Sequence, residues 1–469
     1  MSSMNWSTSE LAQALSPGFK EVVRYADASI QSVVTDSRLV KTGDLFVCLK
    51  GERFDAHDFA QQVMEQGAIG LVVDHALNLN IPQWVVTDTR LALGQLAKAW
   101  RAKFAIPFLG VVGSNGKTTS KEMLASICKV RWGRDHVLVT EGNLNNDIGV
   151  PQTLLRLRSH HLAAVIEMGM NHPSEIAYLA QLVHPHVAML TNAQREHQEF
   201  MKDVRAVAEE NGSVFEFLQP GGVAVFPANT EFDALWVQQA GAAKCVRFGD
   251  KGDVSVRAVS SSQGKAGLDL ELKALGGQRG VFEAKFLGSH NHSNAAGAAS
   301  AALSAGCTFA QTLEGLHQFA PVKGRMNPVL RTSNLLLIDD SYNANPDSVN
   351  AASKVLATLP GQTILVLGDM GEVGDKSDEF HAEVGAVAAK LGVSQLLAMG
   401  VATRHSVNAF GAGAIHQQDI EELIKNVIEQ LKKGRSSVLV KGSRFMKMER
   451  VVQAVLQWAE STKGTEHAS

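Results

Sequence analysis

The chain has 469 residues, 45% apolar and 19% charged, and 44 basic against 47 acidic side chains leave a formal net charge of −3. That length suggests two to four soluble globular domains, with three the central expectation, and the absence of a basic cluster argues against a nucleic-acid partner. No run of about 18 apolar residues reads as a membrane span, the first fifteen residues do not read as a signal peptide, and Cys48, Cys128, Cys245 and Cys307 stand isolated, forming neither a metal pair nor a disulfide framework, which fits a reducing cytoplasm.

Residues 1–105 read as a small α/β unit: Asp44–Cys48 and Gln83–Val86 as strands, 59–70 and 91–103 at helical spacing. From 106 to 321 the buried runs Pro107–Val112, Ala163–Ile166, Val187–Leu190 and Val223–Phe226, separated by helical segments, predict a parallel sheet covered on both faces. Between about 252 and 288 the period changes to two (Val254, Val256, Ala258, then Leu268, Leu270, Leu272), which predicts antiparallel strands appended to that sheet, before an alanine-rich helix at 294–305. From 322 to 469 the runs at Leu335, Ile364, Gln395 and Ser437 predict a second doubly wound sheet, with a frayed tail from Thr462. The expected fold is α/β in three domains: a small N-terminal domain, a central P-loop ATPase-like sheet with an antiparallel extension, and a C-terminal Rossmann-like sheet.

The strongest local signal is Gly110–Thr119, where a buried strand enters a glycine loop that opens a helix near Lys117. Gly113 and Gly116 let backbone N–H groups turn towards an anion, with Ser114 and Asn115 between them. Lys117 offers charge to the β/γ phosphates, Thr118 offers a hydroxyl to Mg²⁺, and Thr119 continues the helix, whose N-terminus adds its dipole. Val111 stands where the strict P-loop pattern has glycine, so the shorter G-x-x-G-K-T form is what occurs. Glu167 ends a buried strand, where a carboxylate beside such a loop suits Mg²⁺. A P-loop alone implies nucleoside triphosphate binding and little else.

Taken together and in order, Gly113–Thr119, Glu167–Gly169, Gly288–Asn294, Gly324–Arg325 and Asp340–Ser348 resemble the Mur ligases, ATP-dependent amide-forming enzymes of peptidoglycan precursor synthesis. The resemblance covers essentially the whole chain. Asp36–Arg38 with Gly43–Val47, Gly142–Pro151, Leu367–Gly374 with His381, and Lys441–Arg444 look like the branch that adds D-alanyl-D-alanine to a UDP-linked muramoyl tripeptide. It implies that the first domain holds the UDP-sugar, the second ATP and Mg²⁺, and that the third closes over both and receives the dipeptide. It implies Lys117, Glu167, His197 and Arg325 as catalytic residues, Thr118, Glu167 and His197 as metal ligands, and Asp340 facing the nucleotide.

Asn291 and Asn294, three apart at a helix start, can read adenine because amides donate and accept together, and they also suit a helix cap. Arg325 follows a domain boundary and could reach the phosphates only on closure. Asp36, Ser37 and Arg38 match the uridine-nucleotide region. Asn143, Asn145 and Asn146 read as a turn by composition and as a substrate loop by resemblance; the resemblance also implies Tyr342, Asn343 and Asn345 as substrate-binding residues. The expected partners are the small-molecule substrates UDP-MurNAc-tripeptide and D-Ala-D-Ala, with the third peptide residue open between diaminopimelate and lysine, and the chain is expected to be a cytoplasmic monomer.

One departure stands out. Most of the family carries a lysine, carbamylated by CO₂, where Ala208–Phe215 here places Asn211. An amide cannot be carbamylated, so the expected site works without the carbamate, with Glu196, Glu199, Glu209 or Glu210 as candidate replacement charges. Two rivals compete: a folate polyglutamating ligase on the same scaffold, which starts at the ATPase domain, and a non-catalytic nucleotide-binding regulator.

Overall fold

Short runs of Val, Ile, Leu and Ala become the strands of four sheets in the computed structural model, which describes residues 4, 6–16, 18–52, 54–196, 199–249, 254–260, 269–274 and 276–466. Near the N-terminus, five strands lie in the order Phe19–Val23, Gln83–Val86, Gly70–Val73, Leu45–Val47, Val33–Val34, the first pair antiparallel and the rest parallel. The helix expected at 59–70 is shorter, Ala60–Glu65, because Gly67 turns left-handed (φ +99°) and Gly70 already begins a strand. The next helix, Thr89–Arg101, is capped by the Asp88 carboxylate and buries Leu93, Leu96 and Trp100 in a core shared with the central sheet.

The central sheet has nine strands, in the order Arg279–Glu283, Asp269–Ala274, Val256–Ser260, Lys244–Phe248, Val223–Pro227, Val187–Leu190, Phe108–Val112, Ala163–Glu167, Val137–Val139. Along Phe108–Val112, Phe108 and Val112 join one core while Leu109 and Val111 join the other. Burial on both faces explains why this strand reads as a continuous apolar run. The three strands from Val256 pair antiparallel with one another, as the period of two implies, with Ala258, Leu270 and Leu272 buried; Leu268 lies outside the described residues. The alanine-rich helix starts earlier than expected and spans Ser289–Ser304.

The third large sheet has the order Asn327–Arg331, Leu335–Asp340, Ser436–Lys441, Gln362–Gly368, Gln395–Met399, Ala414–Gln417, parallel except for the first strand. The tail expected to fray from Thr462 instead continues the helix Glu449–Glu466. That helix docks on the sheet through Val451, Val452, Val455 and Ala459. All four cysteines are free thiols, but Cys128 and Cys307, far apart in sequence, share a thiol hydrogen bond in the core, which with burial holds the Cys128 thiol well above its ordinary value. No helix among the described residues is long and apolar enough to cross a membrane.

Candidate active site

Because Phe108–Val112 runs between Ala163–Glu167 and Val187–Leu190, the loops leaving three parallel strands open side by side. This is where ligands bind in open α/β sheets. The loop after Phe108–Val112 is tightly built. Gly113 has φ +125°, and a Cβ there would come within 2.1 Å of Thr191 Oγ1; Gly116 has φ +81°, and a Cβ there would come within 2.6 Å of Asn294 Oδ1. Ser114 N donates to Asn192 O (3.0 Å) and Asn115 N to Asn192 Oδ1 (2.9 Å), while Thr191 Oγ1 donates to Asn115 O (2.8 Å). Lys117 Nζ donates to Gly113 O, to Ser114 O (3.0 Å) and to Glu196 Oε1 (2.8 Å). Motif reading missed Thr191, Asn192 and Gln194; their signal was only that they follow a buried strand.

Thr118 Oγ1 donates to Glu167 Oε1 (3.2 Å), and Asn145 Nδ2 donates to the same oxygen (2.9 Å). Glu167 is 1% exposed, and its Oε2 is buried with no hydrogen-bond partner among the described residues. A hydroxyl beside a buried carboxylate with one uncommitted oxygen is an all-oxygen donor set, which fits a hard cation such as Mg²⁺. His197 lies outside the described residues. In the asparagine run, Asn143 and Asn145 line the cleft, whereas Asn146 Oδ1 accepts from Gly149 N (2.9 Å) and Ile148 N (3.3 Å) just ahead of the helix Gly149–Leu154.

The opposite wall comes from the C-terminal sheet. Strand register sets Asp340 beside Lys441, whose Nζ donates to Asp340 Oδ2 (2.8 Å) and Asn343 O (2.9 Å). Arg325 lies with its Cζ 4.0 Å from the Tyr342 ring centroid, a cation–π contact that aims the guanidinium into the cleft lining. Asn345 caps the helix Pro346–Ala357, and its Nδ2 donates to Asn115 Oδ1 (3.0 Å), tying this wall to the glycine loop. Arg195 donates to both Asp347 and Glu383 (2.6 and 2.7 Å at the closest), and these bonds hold the Glu383 carboxyl below its ordinary range. The walls enclose a cleft of about 670 Å³.

Asn291 and Asn294 also line that cleft, but their amides are engaged within the protein. Asn291 Nδ2 donates to Leu287 O and Asn294 Nδ2 to Asn291 Oδ1 (2.8 Å each), leaving Asn294 Oδ1 against Gly116. Burial pushes the neighbouring His290 down to about 4, so it is neutral at physiological pH. Asp36, Ser37 and Arg38 stand away from the cleft lining. The Asp36 carboxylate caps the turn Ser37–Leu39 and pairs with Arg38 (2.6 Å), which holds it at about 2.

Asn211 is buried and donates to Val207 O (3.0 Å) within its helix; it does not line the cleft. Of the four candidate replacement charges, Glu196 lines the cleft on Lys117. Glu210 accepts from Ser174 N and Ile176 N, Glu209 pairs with Arg205 and Glu199 is exposed. Asp369 and His381, from the motif at Leu367–Gly374, serve the backbone: Asp369 accepts from Val401 N and Thr403 N, and His381 Nε2 from Met370 N.

A glycine phosphate loop, a buried acid beside it and a facing wall that carries Arg325 and Lys441 form a cleft of the nucleotide-binding class between two α/β sheets. Three family profiles match in order: "Mur ligase family, catalytic domain" over residues 29–101, "Mur ligase middle domain" over 111–302, and "Mur ligase, glutamate ligase domain" over 324–444. The chain belongs to the Mur ligase family. The UDP-N-acetylmuramoyl-tripeptide–D-alanyl-D-alanine ligase of Escherichia coli K12 is 39% identical over 92% of this chain and 94% of its own length. The solved structure of the UDP-N-acetylmuramoylalanyl-D-glutamyl-2,6-diaminopimelate–D-alanyl-D-alanyl ligase from Acinetobacter baumannii superposes with a TM-score of 0.83, at 35% identity over 96% of this chain and 98% of that one. The MurF ligase of Thermotoga maritima in complex with ADP gives a TM-score of 0.81, at 26% identity over 92% and 98%.

Proposed function

We propose that this chain joins D-alanyl-D-alanine to UDP-N-acetylmuramoyl-tripeptide at the expense of ATP, giving the UDP-MurNAc-pentapeptide, ADP and phosphate. The observation that carries this reading is the cleft itself, with Lys117 and the glycine loop on one wall and Arg325, Asp340 and Lys441 on the other. The relatives named for this reaction share most of their length with the chain. Residues 1–105 hold the UDP-sugar end, with Asp36, Ser37 and Arg38 in the uridine region; residues 106–321 hold ATP; residues 322–469 close on it and receive the dipeptide. The third peptide residue is 2,6-diaminopimelate, as in the name of the A. baumannii protein. The enzyme works as a cytoplasmic monomer.

A carboxylate is a poor electrophile at neutral pH, so the tripeptide's terminal carboxylate must be activated. Its oxygen attacks the γ-phosphorus of ATP, the bond to the β–γ bridging oxygen breaks, and ADP leaves an acyl phosphate. The amine of the dipeptide then attacks the acyl carbon, loses a proton, and phosphate leaves as the amide forms. Gly113 to Thr119 cradle the phosphates; Lys117 and Arg325 face the charge that develops on them. Thr118 and Glu167, with His197, would hold Mg²⁺, which supplies countercharge to the phosphates. Asn143, Asn145, Tyr342, Asn343 and Asn345 line the same cleft and are assigned to the peptide; closure of the two walls on the substrates keeps water from the acyl phosphate.

Tripeptide carrying ¹⁸O in its terminal carboxylate tests the route. One labelled oxygen should appear in each phosphate released; unlabelled phosphate with amide product would exclude the acyl phosphate.

A further inference from the structure

Away from the cleft, three side chains of the N-terminal sheet converge in a way the ligase reaction does not use. His57 lies in the turn Ala56–Phe59, and Asp74 and His75 follow the strand Gly70–Val73. One ligand atom from each lies within 4.8 Å of the others, and none of the three lines the cleft. The Asp55 carboxylate accepts from His57 N (3.0 Å) and contacts His57 Nδ1 (2.5 Å). With Nδ1–H committed to Asp55, the His57 Nε2 lone pair accepts from Asp74 N (3.3 Å) and also lies 3.3 Å from Asp74 Oδ1. Asp74 Oδ1 in turn contacts His75 Nδ1, and the two imidazoles stack with centroids 4.9 Å apart.

A carboxylate that orients one imidazole nitrogen so that the other faces a shared point is the arrangement that second-shell partners impose on metal-bound histidine. Metal–ligand bonds of 2.0–2.2 Å in a tetrahedron give ligand–ligand edges of about 3.4 Å; the His57 Nε2–Asp74 Oδ1 edge is 3.3 Å, whereas Asp74 Oδ1 and His75 Nδ1 stand in hydrogen-bond contact and must part to admit an ion. The His57 side chain is 5% exposed, Asp74 35% and His75 62%, so the cluster is rigid on one side and open to solvent on the other. The charges around it are mixed: Lys50 Nζ stands 3.7 Å from Asp55 Oδ2, and Lys20 Nζ donates to Asp74 O.

We propose that His57, Asp74 and His75 bind a borderline divalent ion of the Zn²⁺, Co²⁺ or Ni²⁺ class, with Asp55 orienting His57. Two imidazole nitrogens and one carboxylate oxygen favour such ions over Mg²⁺, whose preferred donors are oxygens. Three protein ligands leave a fourth position for water. Binding exchanges two hydrogen bonds, His75 to Asp74 and Asp74 N to His57 Nε2, for three bonds to the ion, with the His75 proton held on Nε2 of the neutral ring. The ion would tie the turn after Lys50 to the end of the strand Gly70–Val73.

The full chain without an affinity tag, stripped of metal and held in excess Mg²⁺ to saturate oxygen-donor sites, is titrated with Co²⁺. A visible d–d band saturating at one equivalent and displaced by Zn²⁺ is expected. His75→Ala and Asp74→Asn should abolish the band, and Asp55→Asn should weaken Co²⁺ binding about 10–100-fold. Thermal unfolding of the exposed His75→Ala variant checks that it remains folded. No band in the parent chain, or an undiminished band in folded His75→Ala, overturns the site.

Discussion

Arg195, on the loop after Val187–Leu190, holds Asp347 at the start of the helix Pro346–Ala357, donating from its backbone N (2.9 Å) and from Nε and Nη2 (3.1 and 2.6 Å) to one carboxylate. The same guanidinium reaches both oxygens of Glu383. A planar fork with donors on two edges can serve two carboxylates at once, which an ammonium cannot. The pair therefore links the phosphate-loop wall to the C-terminal wall beside the second link, Asn115–Asn345.

Loss of that clamp should misplace Arg325 and Asp340 relative to Lys117. Charged hydrogen bonds of this kind contribute about 1.5–3 kcal/mol, so Arg195→Ala should lower kcat/KM for ligation by about 10–100-fold, and Arg195→Lys should recover little of it. Steady-state kinetics check this; unchanged kcat/KM in Arg195→Ala would remove the clamp from the mechanism.

Acid should loosen the same contact. Arg195 holds the Glu383 carboxyl below its ordinary 4.5. A carboxyl lowered on folding contributes stability that is whole above 4.5 and is lost as pH falls through the lowered value. The gap in thermal midpoint between the parent chain and Glu383→Gln should be widest at neutral pH and close below 4.5. Thermal unfolding across that range checks the sign.

Gly116→Ala should spare the fold and damage nucleotide binding. At φ +81° an alanine costs about 1–2 kcal/mol, and its methyl meets Asn294 and so pushes the loop off its course. Nucleotide affinity should fall about tenfold or more, while the thermal midpoint moves only slightly. Calorimetry with ATP and thermal unfolding read the two effects separately.

Added bicarbonate should leave the rate unchanged, because Asn211 offers no amine to CO₂ and its amide is bonded within its own helix. Of the four candidate replacement charges, Glu196 is the one that lines the cleft, on Lys117. Glu196→Gln should lower kcat about 10–100-fold, since Lys117 then loses its charged partner. A strong rise in rate with CO₂ would contradict this reading.

The sequence made legible what depends on local pattern. Phe108–Val112, Gly113, Gly116 and Lys117 are contiguous, and one strand–loop–helix carries them. Asp340 and Lys441 were each found by motif, but they are 101 residues apart and only parallel strand register sets them side by side. Arg195–Asp347 and Asn115–Asn345 were hidden as pairs for the same reason: each joins residues far apart in sequence, although Asn115 and Asn345 were each singled out separately. Helix ends were the weakest local readings. Gly67 ended one helix early, and the apolar stripe Val451–Ala459 carried the last helix past Thr462, because tertiary packing sets such limits.

The central claim, an ATP-driven ligation of a dipeptide to a UDP-linked tripeptide, is tested most directly by phosphate release with ATP, Mg²⁺, D-Ala-D-Ala and UDP-MurNAc-tripeptide, each omitted in turn, with the product weighed by mass spectrometry. Release that needs every component, together with the mass of the UDP-MurNAc-pentapeptide, is the predicted result. Sustained phosphate release from ATP alone, or no pentapeptide with all components present, would contradict it.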